Sequence, residues 1–179
     1  MSGDVLDYKR RGDRIRLMIV AYSLSGGGAE RFTSTLLCGL DQSRFETHLV
    51  LLRDEITYPV PETVEITVLG KYKPWDWPRT VLRLRALVEQ TQADVVLSNI
   101  AYTSRVTALA LIGCRKRPVI LIRIGSDPNR EQNGINYLLN SFAAARAELV
   151  IANSKGLAEA FASKYRIPAH RVQYLYTPT

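Results

Sequence analysis

Seven short apolar runs alternate with helix-like stretches along this chain of 179 residues. The runs are Ile15 to Tyr22, Thr47 to Leu52, Val64 to Leu69, Asp94 to Ser98, Val119 to Ile122, Leu149 to Ala152 and Arg171 to Leu175. Several are apolar throughout, as strands buried on both faces of a parallel sheet must be. Helix patterns fill the gaps at Ala29 to Leu40, Trp77 to Thr91, Thr103 to Ile112, Asn133 to Ala147 and Lys155 to Tyr165. In the second, Val81, Leu84, Leu87 and Val88 make one apolar stripe beside Arg79, Arg83 and Arg85, so one face packs and the other is wet. Ser154 stands where a helix N-cap belongs, and Pro168 closes that helix. Right-handed crossovers then give a doubly wound, mostly parallel, Rossmann-like α/β sheet of six or seven strands.

Composition agrees with one folded domain. Hydrophobic residues make up 46% and charged residues 23%, far from a disordered composition. Residues 1–14 read as a flexible N-terminal segment and 15–176 as the domain. The N-terminal stretch is too polar for a signal peptide, and the longest apolar stretches, such as Val106 to Ile112, are too short to span a bilayer, which points to the cytoplasm. Cys38 and Cys114 fall in apolar helical patterns and are expected as buried free thiols; no Cys/His cluster suggests a metal. His48 lies inside a strand and His170 in a turn, and both read as structural. The formal charge of +7 is concentrated at Lys9 to Arg16, Lys71 to Arg85 and Arg115 to Arg117. Charge alone does not choose among nucleic acid, anionic lipid and a phosphorylated substrate.

In an open parallel sheet, ligands sit beyond the carboxyl ends of the strands at the topological switch point. That rule selects four loops: Ser23 to Arg31, Asn99 to Thr103, Arg123 to Arg130 and Asn153 to Lys155. The first, Ser-Leu-Ser-Gly-Gly-Gly-Ala-Glu-Arg, runs from a strand into a helix. Its glycines let the backbone approach a ligand closely, and the helix start offers unpaired N–H groups to an anion. It lacks the Gly-Lys-Ser/Thr ending of a P-loop. It matches the dinucleotide fingerprint at Gly26 and Gly28 but has Arg31 where the third glycine belongs. Asp54 could serve as a ribose-binding acid, so an NAD-binding oxidoreductase domain is one alternative and a non-catalytic binding module another. A plain turn needs fewer glycines than three.

The flanking residues each admit two readings. Glu30 either contacts substrate or simply favours the helix dipole, whereas Arg31 is unfavourable there and calls for an anion or a neighbouring acid. Arg123 emerges from an apolar strand to meet a carboxylate or phosphate of a ligand, or forms a loop salt bridge to Asp127. Asn99 and Tyr102 bond a sugar or cap the next helix. The stretch from Lys71 to Arg79 mixes cations with Trp75 and Trp77, which suits a membrane interface or a lipid-linked substrate; the alternative is two tryptophans packed under a surface loop.

Taken together, IRLMIVAYSLSGGGAERF, ADVVLSN, IRIGSDPNR, and ELVIANSKGLAEAF followed by RVQYLYTP resemble the N-terminal half of a GT-B glycosyltransferase of the large retaining family 4 type. Their order covers nearly all of the chain after residue 14, and GGGAER is the most specific piece. The resemblance implies two Rossmann-like domains around a cleft, with a sugar moved from a nucleotide-sugar donor to an acceptor. It implies that residues 177–179 begin the interdomain linker, that the donor domain lies outside this chain, and that this domain alone is inactive. Gly26, Gly27 and Gly28 would neighbour the donor phosphates with Glu30 and Arg31 flanking them. Arg123 and Asp127 would be the catalytic pair, and Asn99, Tyr102, Ser126 and Ser154 would bind the acceptor. Many members carry a histidine after the fifth strand; here Arg123 and Ile124 occupy that place. Retaining chemistry in the family is thought to need no obligatory protein nucleophile. No metal or cofactor is implied, and no nucleic-acid partner. The implied partners are a nucleotide sugar and a saccharide or lipid-linked acceptor, with an anionic membrane surface met through Lys71 to Arg85. The implied setting is peripheral, at the inner membrane face.

Overall fold

In a computed structural model that describes residues 14–128 and 134–176, all seven strands and five helices take the places that the apolar periodicity predicts. The expectations for residues 1–13 and 177–179 lie outside the described residues. The strands are β1 (Ile15–Ala21), β2 (Phe45–Leu51), β3 (Glu65–Val68), β4 (Val95–Ser98), β5 (Val119–Ile124), β6 (Leu149–Ala152) and β7 (Val172–Tyr174). The helices are α1 (Gly28–Gly39), α2 (Trp77–Thr91), α3 (Ala101–Ala110), α4 (Gly134–Arg146) and α5 (Lys155–Tyr165).

Every strand pairs in parallel, in the order β3-β2-β1-β4-β5-β6-β7. That is the doubly wound arrangement, and the order reverses between β1 and β4. The loops following β1 and β4 therefore diverge to opposite sides, leaving a crevice between them. Because side chains alternate across a strand, β1 feeds two cores. Leu17, Ile19 and Ala21 join Leu37 of α1 on one side, while Met18 and Val20 join Leu84 and Val88 of α2 on the other.

Helix ends follow local chemistry. Ser154 Oγ accepts a hydrogen bond from the Leu157 N–H at 3.3 Å and caps α5. That helix stops at Arg166, which takes the left-handed conformation (φ 53°), two residues before Pro168. α2 likewise ends on left-handed Gln92 (φ 52°).

The cysteine expectation needs correction. Cys38 is exposed and Cys114 only half-buried. On α1 the buried position is Leu37, and one residue further turns the side chain about 100° away from the sheet. Burial still pushes the Cys114 thiol upward, so it is kept as a thiol. His48 is buried and its Nε2 lies 2.8 Å from Thr67 Oγ1, which ties β2 to the edge strand β3.

Candidate functional site

A cleft of about 890 Å³ opens at the carboxyl ends of the strands, walled by the start of α1, the start of α3 and the loop after β5. Gly28, Arg31, Phe32, Ile100, Arg123, Ser126 and Asp127 all line it. Residues from three of the four loops chosen from the sequence thus meet in one place, and Asn153 brings the fourth.

The backbone of the glycine loop demands glycine at one position. Gly26 has φ +93°, a conformation that side chains rarely adopt, and it turns the chain toward α1. Gly27 is the N-cap in extended conformation with no side-chain bond, and Glu30 folds back over it, so a Cβ added at Gly27 would only displace the Glu30 carboxylate. Gly28 is different. Its conformation is ordinary, and an added Cβ would meet nothing within 4 Å. Nothing among the described residues requires glycine there, yet Gly28 lies on the cleft wall.

Arg123 holds the opposite wall. It is only 6% exposed, its guanidinium lies 4.3 Å from the centroid of the Phe32 ring, and Nη1 donates to Asn99 Oδ1 at 3.1 Å. Gly125 makes room for it, since an added Cβ would come within 3.1 Å of Nη1. Burial draws the Arg123 guanidinium below its usual range and the nearby Glu30 carboxylate opposes that, but an arginine so placed keeps its charge. Glu30 thus works on both sides: a carboxylate in the first turn of α1 and a counter-charge to Arg123.

Asn99 neither caps α3 nor reaches into the open cleft. It is 2% exposed, and its Nδ2 donates to Ala29 O and Thr33 Oγ1, each at 2.5 Å. With Oδ1 given to Arg123, its amide is fully engaged in tying the first turn of α1 to the end of β5. Ile100 occupies the N-cap of α3 without a side-chain bond. Among the described residues Arg31 makes no ion pair, and it stands exposed on the cleft wall. Ser126 and Asp127 are exposed there as well. Ser154 is engaged as the α5 cap.

Tyr102 sits apart, on the β2–β1–β4 side. Its ring meets Tyr22 edge-on at 5.9 Å, with Lys71 Nζ 4.9 Å and the Arg105 guanidinium 5.6 Å from its centroid. Burial, helped by Tyr22, pushes the Tyr102 hydroxyl up, against the pull of Arg105. The tryptophans are not packed away: Trp75 is 70% exposed and Trp77 47%. The alternative of two tryptophans beneath a loop therefore fails.

A larger cleft, about 1180 Å³, lies at the amino ends of the strands among Arg14, Arg16, Glu46, His48, Glu65, Asp94 and Lys116. Its permanent charges pair among themselves, with Lys116 Nζ 2.6 Å and Arg16 Nε 3.5 Å from the Asp94 carboxylate and Arg14 Nη2 3.9 Å from Glu46. Ligands of such sheets bind at the other end.

Residues 26–179, beginning at the glycine loop itself, match Glycosyltransferase Family 4. The chain belongs to that family. It is 30% identical to the N-acetylgalactosamine-N,N'-diacetylbacillosaminyl-diphospho-undecaprenol 4-alpha-N-acetylgalactosaminyltransferase of Campylobacter jejuni subsp. jejuni serotype O:2, over 90% of this chain and 47% of that protein. The family 4 chain thus spans about half the length of the curated relative it matches. The fold agrees with that of Anabaena Alr3699/HepE in complex with UDP-glucose, at a TM-score of 0.69 and 18% identity over 91% of this chain and 44% of that one. It agrees also with the apo lipopolysaccharide outer core galactosyltransferase WaaB, at a TM-score of 0.73 and 15% identity over 92% of this chain and 46% of that one. The doubly wound sheet is therefore one half of a GT-B fold. An NAD-binding oxidoreductase domain is not favoured: the family match starts in the very loop whose fingerprint Arg31 breaks.

Proposed function

We propose that this chain is the acceptor-binding half of a retaining glycosyltransferase that moves a sugar from a nucleotide-sugar donor to a polysaccharide or lipid-linked acceptor. The observation that carries the reading is the family match opening on Gly26, combined with the place of Gly28 and Arg31 on the cleft wall facing Arg123. The galactosaminyltransferase relative acts on a diphospho-undecaprenol-linked sugar, and the structural neighbour Alr3699/HepE binds UDP-glucose. Both kinds of ligand fit a site built around phosphate charge.

In this mechanism the amides at the start of α1 and the Arg31 guanidinium meet the donor diphosphate as the cleft closes against a second domain. Negative charge grows on the leaving diphosphate in the transition state, and fixed N–H donors in a site shielded from water stabilise it there more than in the ground state. Arg123, fixed by Phe32 and Asn99, presents its charge toward the reacting sugar, with Asp127 beside it on the loop after β5. Ser126 lies next to these on the acceptor side. No nucleophile of the chain is required, because the acceptor hydroxyl attacks on the face from which the diphosphate leaves. The setting we propose is the cytoplasmic membrane face, reached through Lys71 to Arg85. No helix among the described residues is long and apolar enough to cross a membrane.

The test is transfer by the whole transferase that contains this chain, from a nucleotide sugar to a polyprenyl-diphosphate-linked saccharide. The anomeric configuration of the product, read by NMR, must match that of the donor. The 179-residue chain alone is expected to transfer nothing, and transfer by it would contradict the two-domain reading.

A further inference from the structure

Helices α2, α3, α4 and α5 pack on one side of the sheet and α1 alone on the other, with α3 lying between α2 and α4. Their outer faces differ in kind. On α5 the outward positions are Lys155, Glu159 and Ser163, with Lys155 Nζ 3.9 Å from the Glu159 carboxylate, as expected of a helix facing water. On α4 the residues buried against the sheet are Asn140, Ala143 and Ala144, which turns Leu138 and Phe142 outward, 65% and 36% exposed. Between Gly134 and Arg146 that helix carries no acid, and Arg146 is its only charge.

The apolar surface continues onto α3. Arg146 Nη2 donates to Leu111 O at 3.1 Å while its guanidinium lies 5.4 Å from the Phe142 ring centroid, so the ends of α3 and α4 meet there. Ile112, the next residue, is 47% exposed, and Leu82 faces outward on α2 at 65%. Single exposed apolar residues are ordinary on a protein surface; what marks these is the charge around them. From Trp77 to Arg117 the chain carries seven cations and two acids, and both acids are engaged: Glu89 lies 3.7 Å from Arg85 Nε and Asp94 2.6 Å from Lys116 Nζ. Arg79, one turn before Leu82, and Arg115, three residues after Ile112, are exposed and make no ion pair among the described residues. The sign reverses toward the β2 and β3 edge of the sheet, where residues 41–65 carry six acids and two arginines.

We infer that the outer side of the α2–α3–α4 layer docks on an anionic bilayer, with Ile112, Leu138 and Phe142 as an apolar anchor framed by Arg115 and Arg146. This deepens the membrane setting proposed above and carries the contact beyond Lys71 to Arg85. Trp75 and Trp77 stand where α2 begins, at the carboxyl edge of the sheet, whereas Ile112 and Phe142 stand toward the amino edge. Anchors at both ends lay the helix layer along the bilayer, so the cleft opens sideways over its surface and the acidic edge stays outside the contact. The charge favours a bilayer over a second copy of this chain. Two such faces brought together would set Arg79, Arg115 and Arg146 against their own equivalents, whereas anionic headgroups answer them while the apolar side chains enter the interface.

The experiment is sedimentation of the 179-residue chain with phosphatidylglycerol/phosphatidylcholine vesicles and with phosphatidylcholine alone, and sedimentation equilibrium without lipid. The parent is expected to partition onto the anionic vesicles, less so at high salt, and to stay monomeric without lipid. Leu138→Gln/Phe142→Gln, both at exposed positions outside the core clusters, should weaken partitioning by about a hundredfold, about tenfold for each apolar side chain withdrawn. Arg115→Gln should weaken it by about fivefold, the usual scale for one cation at an anionic surface. Arg44→Gln removes the same charge from the acidic side, at an exposed position, and should change nothing. Unchanged partitioning of Leu138→Gln/Phe142→Gln overturns the anchor, and equal losses from Arg44→Gln and Arg115→Gln overturn the orientation. A dimer that the Leu138→Gln/Phe142→Gln change dissolves would give the face to a second copy and overturn the proposal as well. A parent that ignores anionic vesicles overturns the membrane setting itself. None of these measurements involves sugar transfer, so they stand whichever way the transfer assay falls.

Discussion

Asn99 donates to Thr33 at 2.5 Å across the switch point, which locks the first turn of α1 to the end of β4. Through its other amide atom it also fixes Arg123 on β5, so the walls of the cleft share one buried side chain. Removing it takes the Asn99 acceptor from buried Arg123, leaves the Thr33 hydroxyl only its bond to Ala29 O, and strips the Ala29 carbonyl of a side-chain donor in a site nearly closed to water. Asn99→Ala should destabilise the fold by about 1–3 kcal/mol, the cost of buried polar groups left unsatisfied, and lower the midpoint of thermal unfolding.

Arg123 performs two tasks that a lysine cannot combine: a planar stack on Phe32 and a directed bond to Asn99. In the whole transferase, Arg123→Lys is expected to lower kcat by about a hundredfold, the usual scale for losing one fixed donor to developing charge. KM for the acceptor should change much less. A kcat within twofold of the parent would remove Arg123 from the reacting site.

His48 makes stability depend on pH. Burial pushes its imidazole below the ordinary 6.5, and the Glu65 carboxylate opposes this more weakly. Above 6.5 neither folded nor unfolded chain holds the proton, and the full stabilisation is present. As pH falls below 6.5 the unfolded chain takes up a proton that the folded one resists, so stability declines until the depressed folded value is passed. Unfolding midpoints measured from about pH 8 to about pH 5 should fall more steeply for the parent than for His48→Gln. Parallel curves would contradict this.

The exposed tryptophans predict membrane contact. Trp75→Ala/Trp77→Ala should abolish sedimentation with anionic liposomes while leaving the circular dichroism of the chain unchanged, because neither ring belongs to the core. No sedimentation of the parent would end the membrane reading.

The strands and helices were legible because each run is long enough to show its period and the central strands and helix stripes are buried where the pattern implies, whereas the edge strands β3 and β7 stay exposed or half-buried. The loops gathered at the cleft were legible for a topological reason: parallel strands send all their carboxyl ends to one edge. What Asn99 and Tyr102 touch was not. Asn99 reaches Ala29 across 70 positions and Arg123 across 24, and no local spacing encodes such partners. Tyr102 meets Lys71 through pairing of separate strands, so a tyrosine in a first helical turn gave no sign of a cation cluster. The exposure of Cys38 was hidden by its apolar neighbours, since a shift of one position on a helix decides burial.

The central claim is that the glycine loop faces a ligand, and Gly28→Ala in the whole transferase tests it most directly. Within this domain the substitution meets no atom within 4 Å, and the backbone there is not left-handed. The unfolding midpoint should hold or rise, by the equivalent of about 0.4–1 kcal/mol for replacing glycine in an accessible conformation. Binding of the nucleotide-sugar donor and the rate of transfer should both fall, because the new methyl group stands where the diphosphate approaches. Full transfer activity with an unchanged KM for the donor would contradict the account.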